Sequence, residues 1–140
     1  MTHDCTDETL EFHPRYDSAG LIMAVVSDDA TGQPLMAAYM NETSLNLTLD
    51  TGEAHFFSRS RQEIWHKGGT SGNVLEVTEL RIDCDQDVLW LTAIPRGHGA
   101  ACHTGRKSCF YRSVHRKEGK IILKMEDNER LFDPKAVYTK

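Results

Sequence analysis

The chain has 140 residues, 39% of them hydrophobic and 26% charged, with a formal net charge of −5. That length predicts one domain, 1–140, burying its own core, and no apolar run approaches the ~18 residues of a membrane span. The acidic balance argues against nucleic acid as a partner. The opening MTHDCTDETLEFHPRYD lacks the apolar stretch of a secretory signal, so the chain is expected to be cytoplasmic.

Residues 1 to about 20 read as a loosely structured lead-in, with Cys5 incidental. LIMAVVSDD predicts a strand, TGQP a turn and PLMAAYM a second strand, together a hairpin. Asn41 is placed to cap a helix over ETSLNLTLD, with Leu45 and Leu49 on one face and Gly52 just past its end. AHFFSRS returns to strand character, and KGGTSGN, polar and glycine-rich, is a loop. VLEVTELRIDCD alternates apolar and polar residues through Val74, Leu75, Val77, Leu80 and Ile82 and predicts a long strand, with VLWLTAI as another. PRGHGAA is loop, and CFYRSV and KIILKM flank HRKEG like the arms of a closing hairpin. Strands that follow one another directly, with one clear helix, predict an α+β fold with a mainly antiparallel sheet and few helices.

DCDQD places carboxylates at Asp83, Asp85 and Asp87 with a thiol, Cys84, between the first two. Continued as a strand, it would project the aspartates to one face and Cys84 to the other. Successive carboxylates would then lie about 6.6 Å apart. At an effective dielectric near 20, each adjacent pair would repel by roughly 2.5 kcal/mol. Either this is an acidic strand end dissolved in solvent, or it holds a hard cation, for which oxygen ligands and Mg²⁺ are the natural match.

Four cysteines in a cytoplasmic chain point to metal ligands or buried thiols rather than disulfides. Cys102 and Cys109 bracket HTGRKS, and Cys84 precedes them in DCDQD. The spacing is not that of a zinc ribbon, and three unrelated thiols would fit it equally. Three protein ligands are nevertheless what a catalytic zinc takes, leaving a position for water, whose pKa falls from 15.7 to about 7. His103, beside Cys102, is the first candidate for proton transfer, or else a fourth zinc ligand.

SRSRQEIWHKGGTSGN sets Arg59, Arg61 and Lys67 before the small residues Thr70, Ser71 and Gly72. Alternating arginines on a strand end share a face and suit bidentate phosphate contacts, and a glycine-rich loop exposes N–H groups to anions. A solvated basic face beside a turn is the plainer alternative. Trp65 closes the core or stacks on a base, the former being the commoner role.

TGQPLMAAYMNE, the SRSR segment with its W.KG.TSGN continuation, DCDQD and ACHTGRKSCF together resemble the phosphoribosyl-AMP cyclohydrolases of histidine biosynthesis, over about 21–111. These enzymes open the adenine ring of N1-(5-phosphoribosyl)-AMP at the N1–C6 bond. The resemblance implies zinc on Cys84, Cys102 and Cys109, with Cys84 contributed across a subunit boundary, and magnesium on Asp83, Asp85 and Asp87. It implies an obligate, intertwined homodimer with active sites at the interface. Two departures stand out. Gly69 replaces the acidic residue usual in that loop, and IPRGHGAA is about two residues longer than usual. The chain stops soon after KAVYTK and is expected to be monofunctional.

Three other classes of protein are set apart by features they would carry. A nucleoside-type zinc deaminase would show H-x-E…P-C-x-x-C, which is absent. A binding module with a structural zinc would close its metal with four ligands instead of leaving a water position. A thiol redox protein would be expected to carry CxxC.

Overall fold

A computed structural model describes residues 7–138. The apolar run after Leu21 forms β1 (Ile22–Asp28), and a turn leads into β2 (Pro34–Met40). The Asp28 carboxylate organises that turn, accepting from Ala30 N at 3.3 Å and from Thr31 Oγ1 at 2.9 Å. The helix α1 (Glu42–Thr51) starts where Asn41 and Ser44 form a reciprocal capping box. It stops at Gly52, which takes the left-handed conformation (φ 75°) and donates to Thr48 O. Strands β3 (His55–Ser58) and β4 (Glu63–His66) follow as a hairpin, then β5 (Leu75–Ile82) and β6 (Val88–Pro95). A second hairpin, β7 (Arg112–Lys117) and β8 (Lys120–Met125), precedes a short helix, α2 (Pro134–Tyr138).

The main sheet has the order β2-β1-β6-β5. Its pairs are antiparallel except β1 with β6, where Met23 to Asp28 run beside Val88 to Ala93 in parallel. The fold is therefore α+β and mainly antiparallel, as the strand-after-strand sequence predicts. One face of the sheet builds the core: Ile22, Ala24 and Val26 of β1 alternate inward and meet Leu35, Leu89 and Leu91, all nearly solvent-free. Leu45 of α1 and Phe56 of β3 close the other side. Replacing a fully buried Phe56 by alanine would cost about 3–5 kcal/mol.

One expectation about α1 needs correcting. Leu49 does not share the buried face of α1 with Leu45; it is 56% exposed. The buried stripe is Ser44, Leu45 and Thr48. Thr48 Oγ1 accepts from His55 N at 3.0 Å and so ties the helix to β3, which rotates Leu49 outward. The lead-in is tied to the β5–β6 turn at two points. Residues 7–20 contain no strand or α-helix, but His13 N donates to Gln86 Oε1 at 2.7 Å and Arg15 N to Gln86 O at 2.6 Å. Cys5 lies outside the described residues. Strand β4 and helix α2 are too short to carry a readable period, and β4 forms where Trp65 pairs with Phe56 across the hairpin. Among the described residues no helix is long and apolar enough to cross a membrane.

Candidate active site

The β3–β4 hairpin and the loop after it build one wall of a cleft of ≈ 320 Å³. Arg61, Trp65, His66, Lys67, the stretch 68–71, His103 and Tyr138 line it. Gly68 makes the loop possible. At φ 81° it lies so near residue 73 that a Cβ would stand 2.3 Å from Asn73 C and Val74 N. Lys67 is 4% exposed, and its Nζ lies 5.6 Å from the centroid of the Trp65 ring. Burial pulls its ammonium pKa down, against the pull of the Cys109 and Cys102 sulfurs, which favour the charge. His66 stacks on His55 (centroids 4.4 Å, 8°) and holds Glu53 Oε1 at 2.7 Å from Nε2.

The 102–109 loop contributes His103 to the cleft lining and is fastened to the sheet. Cys109 N donates to Leu35 O at 2.7 Å, and Ser108 Oγ to Pro34 O at 2.6 Å. Lys107 Nζ meets the buried Asp28 carboxylate at 2.7 Å. Within the loop the Cys109 side chain acts on the Cys102 sulfur, and Thr104 Oγ1 lies 3.0 Å from it. These contacts hold Cys102 well below the ordinary thiol range, to about 5, and the same interaction drives Cys109 upward. The two sulfurs thus act on one another and lie within electrostatic reach of the buried Lys67.

The Lys107 hydrogen bond, with those of Thr31 and Ala30, keeps Asp28 below the usual carboxylate range despite its burial. A depressed pKa contributes stability that is complete above the unfolded value near 3.9 and disappears as pH falls through the folded value. Asp28→Asn should therefore lower unfolding stability by about 2 kcal/mol at pH 7, Lys107 being partly exposed. Urea titrations at fixed protein concentration should show that gap shrinking below about pH 4; an unchanged gap at pH 3 would contradict the ion pair.

DCDQD does not continue β5. The strand ends at Ile82 and residues 83–87 turn into β6, with Gln86 in the left-handed region (φ 58°). The expected strand alternation is thus replaced by a turn. Its physical basis is Asp83 Oδ1, which accepts from Asp87 N at 2.9 Å and Val88 N at 3.0 Å, the capping role aspartate fills best. The turn brings ligand oxygens of Asp83, Asp85 and Asp87 all within 4.8 Å of one another. Burial resists ionisation at Asp83, but the Val88 and Asp87 N–H groups prevail and lower its pKa. Asp87, hydrogen-bonded to Asp85 and Asp83, is pushed up to about 6. Asp87 is therefore largely ionised at neutral pH despite this rise, and the crowded carboxylate oxygens suit a divalent cation.

Arg61, Lys67, Thr70, Ser71 and His103 thus meet in one cleft, with His103 exposed at its edge. Arg59 does not join them. Residues 59–62 form the hairpin turn, not a strand end, so the two arginines diverge and Arg59 lies over the Tyr39 ring at 4.4 Å. Gly72 also lies outside the cleft lining, where its N–H closes the loop on Gly68 O at 2.8 Å. Cys84 is exposed on the β5–β6 turn. Among the described residues, the aspartate triad is the only group of three or more potential ligands gathered within 4.8 Å, so one chain does not bring the three thiols together. Sequence reasoning missed His66 and Tyr138. His66 alternates with Trp65 on β4 and could have been flagged, whereas nothing in KAVYTK announces a cleft residue.

Comparison with known proteins follows the same residues. Positions 36–111 match the family model described as phosphoribosyl-AMP cyclohydrolase. The chain is 57% identical over 130 residues to the phosphoribosyl-AMP cyclohydrolase of Rhizobium etli, spanning 93% of this chain and 87% of the relative. It is 52% identical over 134 residues to that of Bradyrhizobium diazoefficiens, spanning 96% and 94%. It is 52% identical over 128 residues to that of Agrobacterium fabrum, spanning 91% and 85%.

Proposed function

The chain belongs to the phosphoribosyl-AMP cyclohydrolase family, and from that premise we propose that it hydrolyses the N1–C6 bond of N1-(5-phosphoribosyl)-AMP in histidine biosynthesis. On this reading the whole chain acts as one domain and the enzyme as a cytoplasmic homodimer using zinc and magnesium. The observation that carries it is the cleft itself. Arg61, the buried Lys67, the Trp65 ring and a tight glycine turn line it with His103, and Lys67 lies within electrostatic reach of the Cys102 and Cys109 sulfurs.

The residues suit both metals. Cys102 and Cys109 offer adjacent soft sulfurs, one already favouring the thiolate that zinc requires. The exposed Cys84 would come from a second chain as the third ligand. The clustered oxygens of Asp83, Asp85 and Asp87 suit magnesium. When bound, zinc makes a water nucleophilic at neutral pH and magnesium offsets phosphate charge. Homodimerisation is supported by the β7–β8 hairpin, whose Val114, Ile121 and Leu123 are 69%, 66% and 55% exposed. A two-stranded hairpin with bare apolar side chains is marginal until another surface covers it.

The chain's own groups then have defined tasks. Arg61 and Lys67 hold substrate phosphate, with the N–H groups around Thr70 and Ser71 adding donors. Arg59 could contact a second phosphate only by leaving Tyr39. Trp65 bounds the base. Ribosylation at N1 makes the purine amidinium-like and electron-poor at C6. His103 takes one proton from the water that adds to C6 and delivers it to N1 as the N1–C6 bond breaks, while the proton remaining on the added oxygen passes to solvent, leaving the ring-opened carboxamide.

Turnover of N1-phosphoribosyl-AMP, followed by ultraviolet absorbance, tests this before and after zinc is stripped and restored. Ring opening should vanish with zinc and return with it. A folded, zinc-loaded, magnesium-supplied dimer that does not turn over would overturn the proposal. A non-catalytic zinc module would then be the better reading.

A further inference from the structure

After β8 the chain doubles back onto the 102–109 loop. Arg106 Nη2 donates to Asn128 Oδ1 at 2.7 Å, and Leu131 N donates to Gly105 O at 2.6 Å. Phe132 is only 8% exposed, its ring 5.0 Å from that of His98. The approach is so close that a Cβ on Gly105, whose φ is 92°, would stand 2.3 Å from Phe132 O. Residues 128–132 are thus fastened to the very loop that carries Cys102, His103 and Cys109. The Asp133 carboxylate then accepts from Lys135 N at 3.0 Å and starts α2. That turn of helix carries Tyr138 into the lining of the cleft, with its ring edge-on to Phe132 at 6.0 Å.

We infer that residues 128–138 form a strap that completes the substrate cleft, and that Tyr138 is a substrate-binding residue whose ring packs on the base. The inference rests on the function proposed above. An N1-ribosylated adenine is electron-poor and carries amidinium character, which aromatic faces attract. Trp65 supplies one such face and Tyr138 a second, from an element distant in sequence. Ring opening abolishes the aromatic cation, so the same contact favours substrate over product. The strap also rests directly on the thiol loop, since Leu131 N bonds Gly105 O and no side chain fits between Gly105 and Phe132 O.

The test is steady-state kinetics of the intact, zinc-loaded enzyme with Tyr138→Ala and Tyr138→Phe. Loss of one base–aromatic contact predicts a KM raised about tenfold in the alanine variant, with kcat within about twofold of wild type. The phenylalanine variant should restore the wild-type KM, since the ring and not the hydroxyl is invoked. A chain ending at Asp133 keeps Phe132 and should reproduce the alanine phenotype with unchanged zinc content. An unchanged KM in Tyr138→Ala, or a phenylalanine variant as impaired as the alanine one, would overturn the inference. An inert wild type would instead overturn the functional reading on which it depends.

Discussion

Cys102→Ser is expected to lower turnover by at least about a thousandfold, roughly 4 kcal/mol of lost transition-state stabilisation, and to empty the zinc site. Serine is near in size, so the 102–109 loop keeps its backbone bonds from Cys102 N to Arg106 O and from Gly105 N to Cys102 O. What disappears is the low-pKa sulfur that Cys109 and Thr104 prepare. Asp85→Asn is the counterpart. It should leave zinc content unchanged while raising the magnesium concentration needed for half-maximal rate by about tenfold. Asp85 is the better choice because Asp83 also caps the turn, so its loss would mix metal effects with local unfolding. Metal analysis beside magnesium titration separates the two sites. Zinc loss in Asp85→Asn, or full turnover in Cys102→Ser, would refute the assignment of sulfur to one metal and oxygen to the other.

Gly68→Ala is expected to cost about 3 kcal/mol or more in unfolding free energy, against about 1 kcal/mol for Gly72→Ala. Both glycines have φ 81°, so the backbone penalty is shared. They differ in what a methyl group would meet. Gly72 has nothing within 4 Å, whereas Gly68 would place its Cβ 2.3 Å from backbone atoms of Asn73 and Val74. Asn73 cannot yield cheaply. It is 1% exposed, and its Oδ1 accepts from His98 N at 2.7 Å while Gly97 packs against it. Displacing it would move the cleft loop and the 95–101 loop together, so KM should rise along with the loss of stability. Thermal unfolding of the two variants at equal protein concentration decides the matter; equal losses would mean that close packing at Gly68 is not the controlling term.

Much of this was legible in the chain itself, for reasons local to a few residues. Asn41 and Gly52 bound α1 because their side-chain and backbone preferences act within one turn. The alternation through Leu75 to Ile82 needs only the two-residue period of a pleated strand. Lys67, Thr70, Ser71 and the cysteines could be singled out because side-chain chemistry does not depend on fold. The motifs carried the family as well, and the matched region 36–111 falls inside the 21–111 on which the resemblance rests.

The sequence alone determined the class of fold, the family and the inventory of reactive groups. Only the tertiary structure decided which of those groups meet. DCDQD reads as a strand by alternation, yet Asp83 turns it, because a carboxylate that accepts two N–H groups outweighs a weak strand preference. Arg59 and Arg61 look equivalent at two-residue spacing, but a hairpin turn sends one to Tyr39 and the other to the cleft. Tyr138 lies far along the chain from Trp65 and lines the same cavity only because Gly105 lets Phe132 lie against it. Such contacts depend on packing between distant segments, whose geometry no local period encodes.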